Sequence, residues 1–320
     1  MAAVPQSTTN TLPTLASMVK TSIARKPLRV VLYAPEKTGK TTFAARAPSP
    51  IFLGTEDGFG DITPTPPIHD PSSWTDALTF LRVLRSEQHD YKTLIIDTVD
   101  FLEPLCWEHV CKREGVDSIE KIGGGYGKGH LAAQLEWRNL LADLDRLRAK
   151  GMTIILLAHS KTHTFQNPDG EDYSRYTLAM NEKSAGLIKQ WADIVLFANF
   201  ETFVDIEKGQ KKGKGLGGQT RKLYTQRRAS FDAGNRFSLP EEMPLAWDEF
   251  DAAMKAGAQR IADLKTQIVA SLGDNADPKL VAWVDSTADA GKLAEALNRL
   301  QAKASAQQTT PATPANGGAA

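Results

Sequence analysis

Arg29-Val-Val-Leu-Tyr-Ala-Pro-Glu-Lys-Thr-Gly-Lys-Thr41, RVVLYAPEKTGKT, decides how this chain is read. Val30 to Tyr33 predict a buried strand, Ala34 to Gly39 a tight loop, and Lys40-Thr-Thr-Phe-Ala-Ala-Arg46 the start of a helix. In such a unit the loop's backbone N–H groups and the positive end of the helix form a cradle for phosphate oxygens. A lysine at the place of Lys40 reaches the outer phosphates, and a hydroxyl at the place of Thr41 suits Mg²⁺. The pattern in its strict form opens with Gly, where this chain has Ala34. Ala34 precedes Pro35, which biases it to the extended region that an exiting strand already occupies. A Gly-Lys-Thr can also arise by chance in a surface turn, but the apolar run before and the helical run after argue against that reading. Ala34, Pro35, Glu36, Lys37, Thr38, Gly39, Lys40, Thr41 and Thr42 are therefore the candidate nucleotide loop, with ATP and Mg²⁺ the implied cofactors.

Three further stretches could complete such a site. Lys92-Thr-Leu-Ile-Ile-Asp97-Thr98 ends an apolar run in a carboxylate, the group a magnesium shell needs beside the loop. Capping of the next helix is the plain alternative for Asp97. Ile51-Phe-Leu-Gly-Thr-Glu56-Asp57 falls, in chain order, between the loop strand and the Asp97 strand. Ligands of α/β sheets gather at the carboxyl ends of strands, so Glu56 is expected near the last phosphate, where it could activate water. Asp57 and Asp61 compete for that role, and a solvated acidic turn is the alternative. Ile154-Ile-Leu-Leu-Ala-His159-Ser160 puts a polar residue on a fourth strand tip, where His159 could bond the outer phosphate or simply satisfy a loop.

Composition sets bounds without choosing a function. The 320 residues, 41% hydrophobic and 24% charged, suit one large domain or a domain with an appendage. Lys+Arg and Asp+Glu both number 38, so only local patches can argue for nucleic acid. Cys106 and Cys111 are too few for a disulfide framework or a zinc cluster and are expected to be buried free thiols. No apolar run approaches the ~18 residues of a membrane span, and no secretory leader is recognisable. A cytoplasmic protein, in a host cytoplasm if phage-encoded, is expected.

Strands are predicted at Leu28–Tyr33, Ile51–Gly54, Thr93–Asp97, Thr153–Ala158 and Asp193–Ala198. Helices are predicted at Lys40–Arg46, Trp74–Arg85, Val99–Arg113, Leu131–Lys150 and Glu182–Trp191. This alternation, with strands apolar on both faces, predicts an α/β fold with a mostly parallel sheet covered by helices. Beyond residue 200, Thr202–Ile206 and Lys222–Gln226 read as an antiparallel pair and Phe237–Leu239 as a short edge strand. Residues 247–272 and 279–304 read as two helices, broken at Gly273–Pro278. The expected organisation is a loose arm over 1–26, a core over 27–245, a helical region over 246–304 and a disordered tail over 305–320.

Taken in this order, the four stretches resemble the core of RecA-like P-loop ATPases, over roughly residues 27–240. The resemblance implies that Glu56 is the catalytic carboxylate, that Asp97 and Thr41 hold the metal, and that His159 senses the last phosphate. It also implies two mobile loops, Gly123–Gly129 and Lys161–Met180, that bind single-stranded DNA, and an arginine reaching a neighbour's nucleotide. Arg228 fits that arginine best, with Arg227 and Arg236 as alternatives, so a homo-oligomer is implied. The phrases YAPEKTGKTTFA, DYKTLIIDT, GYGKG and GMTIILLAHSK are similar to phage-encoded Sak-type single-strand annealing proteins. Those act with a single-stranded DNA-binding protein, which becomes an implied partner.

The nucleic-acid candidates mix cations with rings, which suits phosphate contact and base stacking. They are Tyr126 and Lys128 in the first loop and Lys161, His163, Phe165 and Arg175 in the second. Lys211 and Lys212 belong to a third, glycine-interleaved basic patch. Ordinary long loops and a solvated hairpin tip are the alternatives. The leading expectation is an ATPase that acts on single-stranded DNA in annealing or exchange. A nucleotide-dependent scaffold or loader, and a small-molecule kinase, are the other readings.

Overall fold

The computed structural model describes residues 26–56, 58–60, 62–205, 214–273 and 276–308. The candidates Asp57, Asp61, Lys211 and Lys212, most of the expected arm and most of the expected tail lie outside them. The chain divides into two compact units. One is Lys26–Gln259, and the other takes in the described residues from Arg260 onward.

The first unit is built on a nine-stranded sheet. Its strands are β1 (Arg29–Ala34), β2 (Pro50–Gly54), β3 (Ile68–His69), β4 (Thr93–Asp97), β5 (Thr153–Phe165), β6 (Tyr173–Leu178), β7 (Ile194–Asp205), β8 (Lys214–Tyr224) and β9 (Glu242–Pro244). The order is β3-β2-β4-β5-β1-β7-β8-β9, with β6 paired to β5. Every pair from β3 to β7 is parallel, while β8, β9 and β6 add antiparallel edges. This is the expected α/β class, a P-loop core with a mostly parallel sheet and an antiparallel extension.

The two faces of the sheet follow from the two-residue period of a strand. Val31, Tyr33, Leu94 and Ile96 point to one face, into a cluster with Trp74, Trp137 and Leu144. Val30, Leu32, Ala34 and Ile95 point to the other, with Phe43, Phe250 and Met254. The first face is covered by α2 (Trp74–Ser86), α3 (Val99–Glu114), α4 (Lys128–Ala149) and α5 (Glu182–Trp191). The second is covered by α1 (Lys40–Ala45) and the start of α6 (Trp247–Leu272). Phe250 belongs to α6 yet lies edge-on to Phe43 at 5.8 Å, so the division between the units falls inside that helix. Cys106 and Cys111 are buried free thiols.

Several boundaries differ from the sequence reading. The strand expected to end at Ala158 runs on to Phe165 and turns back as β6, so Lys161–Met180 is a hairpin and not a structureless loop. The first glycine-rich loop is shortened from both sides by a 3-10 turn at Ile119–Gly124 and by α4, which begins at Lys128. Phe237–Leu239 is not a strand. The Asn235 side chain accepts the backbone N–H groups of Phe237 and Leu239, which a ladder would have used. The last strand is instead β9, which pairs with Lys222–Tyr224.

The second unit contains the end of α6, α7 (Pro278–Ser286) and α8 (Ala290–Gln308) around Ile268, Val284, Leu293 and Leu297. The helix expected over 279–304 is two helices. Asp289 accepts the N–H groups of Gly291 and Lys292 and so starts a new one. That helix runs to Gln308, four residues beyond its expected end. Among the described residues no helix is long and apolar enough to cross a membrane.

Candidate nucleotide site

The parallel register sets the site. Gly54 of β2, Asp97 of β4 and Leu157 of β5 are aligned, and Ala34 of β1 is aligned with His159 of β5. The residues that follow these positions therefore converge at one edge of the sheet. They are the 34–42 loop, Thr55-Glu56, Asp97-Thr98 and His159.

The loop closes on itself. Thr38 donates its hydroxyl to Pro35 O at 2.7 Å, and Lys40 donates Nζ to the same carbonyl at 3.2 Å. Gly39 has φ +102° and caps α1 in the left-handed region, which costs a glycine least. Lys40 is nearly buried. Burial pulls its pKa below the ordinary value, against the raising charges of Asp97, Glu56, Asp100 and Glu36. The carboxylates around the ammonium oppose that fall without reversing it.

Asp97 is buried, and burial raises its pKa to about 6. The neighbouring Thr41 hydroxyl and Lys40 work in the other direction. Asp97 Oδ1 is buried with no hydrogen-bond partner in the described structure. An orphaned carboxylate oxygen beside a threonine hydroxyl is a donor set that fits Mg²⁺, which takes one or two protein oxygens and fills its shell with phosphate and water. Thr41 and Asp97 would hold the ion. Bound there, it would offset the charge of the phosphates.

Glu56 is fixed by the Thr98 hydroxyl, which donates to Oε1 at 2.7 Å. Thr98 is in turn tied back, its N–H donating to Thr55 Oγ1 at 3.0 Å. The peptide joining Asp97 to Thr98 is cis. His159 Nδ1 lies 3.6 Å from Glu56 Oε1 and 2.9 Å from Asp100 Oδ2. The hydrogen bond to Asp100 raises the His159 pKa, while burial and Lys40 oppose the rise. Burial acts to raise Asp100, but the two bonds and the charge of His159, with Thr98, together outweigh it and hold that carboxyl below its ordinary value. Phe101, half exposed, covers the imidazole edge-on at 5.7 Å.

Sequence reasoning named Lys40, Thr41, Glu56, Asp97 and His159, and the fold brings them to one place. It assigned no role to Asp100 or Thr98. Their signal was weak, a second Asp and a Thr just after a strand tip.

The remaining candidates are placed differently. Arg228 Nη2 pairs with Glu242 Oε2 at 2.8 Å, and its guanidinium lies over Tyr224 at 4.7 Å. Within one chain it is thus held by its own edge strand. Arg227, largely exposed, lies 3.9 Å from Asp232. Arg175 corrects the sequence reading. It is buried, donates to Asp232 Oδ1 at 2.6 Å and lies over Phe165 at 5.0 Å, so it is not presented to a nucleic acid. Lys128 donates to Gly123 O at 2.8 Å and Lys161 to Met180 O at 2.7 Å. His163 is half-buried, with Nδ1 enclosed and unpartnered. Tyr126 is the opposite case, 99% exposed at φ +55° ahead of α4.

Comparison with known proteins gives three findings. A prophage protein of Bacillus subtilis strain 168, "SPbeta prophage-derived uncharacterized protein YorG", is 26% identical over 137 residues. That stretch is 41% of this chain and only 40% of the relative's length. A solved KaiC-like protein, PH0186 of Pyrococcus horikoshii OT3, has 14% identity and covers 62% of this chain and 79% of its own, with a TM-score of 0.30 that carries no argument. The third finding bears on the core itself, since residues 26–237 match the family described as AAA domain. That match spans more than half of the sequence and takes in the loop, both carboxylates and His159, and so this chain belongs to the AAA domain family, as a P-loop ATPase-type protein.

Proposed function

We propose that this protein binds Mg²⁺-ATP on the 34–42 loop and hydrolyses it, and that it acts on single-stranded DNA in phage recombination or replication. The observation that carries the ATPase reading is the buried Asp97 carboxyl, with Oδ1 left without a partner and the Thr41 hydroxyl and Lys40 beside it. Lys40 stands beside them to meet the outer phosphates. Glu56, held by Thr98, takes a proton from the attacking water. His159, oriented by Asp100, bonds the last phosphate and registers its loss.

The DNA reading has different support. It rests on the resemblance to RecA-like, Sak-type phage proteins, on a relative whose name places it in a prophage, and on Tyr126 standing clear of the surface beside Lys128. A ring so exposed can stack on a base, a contact worth ~1–3 kcal/mol. Assembly into an oligomer would free Arg228 from Glu242 to reach a neighbouring site, and a single-stranded DNA-binding protein would be the partner.

One experiment tests both halves. Phosphate release is measured with and without single-stranded DNA while DNA binding is followed against salt. The expected outcome is release that DNA accelerates, and affinity that falls with salt at a slope of about 0.7 per phosphate contact. ATP binding without release would favour the scaffold, and release indifferent to DNA would remove the nucleic-acid role.

A further inference from the structure

Arg221 stands against the nucleotide loop from the side opposite the carboxylates. Its Nη1 donates to Thr38 O at 3.3 Å. It also lies 2.6 Å from where a Cβ on residue 39 would be, so with any larger residue there the guanidinium would have to swing aside. The approach follows from β8. Leu223 is buried in the cluster that contains Phe43 and Ala44 of α1. Residues two apart on a strand share a face, so Arg221 is carried onto the same side, over the start of α1. Lys222 points the other way and is held by Glu201 at 2.7 Å and Glu242 at 2.8 Å. Arg221 has no carboxylate partner among the described residues. Its fork has five N–H donors, and Thr38 O takes one.

Sheet order gives this position its meaning. From β1, the neighbours on one side are β5, β4 and β2, which carry His159, Asp97 and Glu56. On the other side are β7 and then β8, which carries Arg221. A nucleotide whose last phosphate faced Glu56 and His159 and whose other end lay across the loop would extend towards β8.

We propose that Arg221 binds the nucleoside end of the nucleotide in the same chain that supplies the loop, through the α-phosphate and the base. An arginine is suited to this. Its planar fork pairs with phosphate oxygens and its face stacks on a ring. The inference rests on the nucleotide reading above and adds a contact that ATP and ADP share, because it lies away from the phosphate that hydrolysis removes.

The test is direct binding of ATP and ADP to the full chain, wild type against Arg221→Ala and Arg221→Lys, with thermal melts of each protein alone. Arg221→Ala is expected to weaken ATP and ADP by the same factor, about ten-fold, the loss of one charge-assisted contact. Arg221→Lys, which keeps charge but not the planar fork, is expected to recover only part of that. Melts unchanged within a few degrees attribute the loss to the contact. Weakening of ATP alone would move Arg221 to the outer phosphate and overturn the inference, as would affinities equal to wild type. A wild-type protein that bound neither nucleotide would instead remove the nucleotide reading, and this inference with it.

Discussion

Asp100 grips His159 at two points. The His159 backbone N–H donates to Oδ1 at 2.9 Å and the ring Nδ1 lies 2.9 Å from Oδ2. A carboxylate only accepts, so Nδ1 carries the proton in this pair and Nε2 is the nitrogen left for another partner. A residue on the first turn of α3 thereby aims a side chain on β5.

The grip has a spectroscopic consequence. The bond to Asp100 is the largest cause raising the His159 pKa. Asp100→Asn is expected to lower that pKa, because burial and Lys40 then act unopposed by it, and the imidazole loses its proton at a lower pH. NMR titration of the ring reads the change. Phosphate release should drop about ten-fold as the ring loses its orientation, with ATP affinity nearly unchanged. An unaltered titration would show that Asp100 does not govern His159.

Glu56→Gln keeps the shape of the side chain and a bond from Thr98, and loses the base. Phosphate release is expected to fall by about 10²–10⁴, while ATP affinity stays within a few-fold of wild type. Turnover near the wild-type rate would pass the role of base to another carboxylate.

Lys40→Ala removes the ammonium set among Asp97, Glu56 and Asp100. Hydrolysis is expected to be lost, by at least about 100-fold, a share typical of electrostatic stabilisation. ATP affinity should fall as well. Full turnover by this variant would exclude the 34–42 loop as the reacting site.

Asp232 supplies a test of stability against pH. Arg175 and Lys189 meet its two oxygens at 2.6 and 2.7 Å. Burial acts to raise its pKa, and the bonds and charges of Lys189 and Arg175 outweigh this, leaving it below the ordinary value. A folded pKa below the unfolded value, ~3.9, stabilises the fold fully at higher pH, and that stabilisation is lost as pH falls through the folded value. Asp232→Asn is expected to cost about 2 kcal/mol at neutral pH, reduced from the buried-pair range because Asp232 is partly exposed. Urea unfolding should show the gap between variant and wild type narrowing once pH drops below ~4. An equal gap at both pH values would show that charge is not what holds Arg175.

Some of this was visible in the residues and some was not. The loop and its flanks were legible because an apolar run, a tight turn and a helix start are all local. Asp97 was legible because four apolar or β-favouring residues, Thr93 to Ile96, lead up to it. The hairpin from Ser160 to Leu178 was not. Its strands mix Lys, Thr and His with Phe and Tyr, and the pairing of His163 with Arg175 or Phe165 with Tyr173 exists only when the two strands lie side by side. Arg175 looked like a free cation for the same reason. The carboxylate that neutralises it, Asp232, is 57 positions away.

The amino-acid order alone determined the five parallel strands at the centre of the sheet, the loop and which side chains could carry phosphate chemistry, since period, turn preference and side-chain type are properties of neighbours along the chain. Which strand lies beside which was decided by folding. β5 sits between β1 and β4, and β2, which precedes both β4 and β5 in the chain, lies outside them. That order brings Thr41 beside Asp97, joins His159 to Asp100 and sends Arg221 to the far side of the loop. Pairings between residues scores of positions apart depend on how whole elements share a core, and no short window of sequence contains that information.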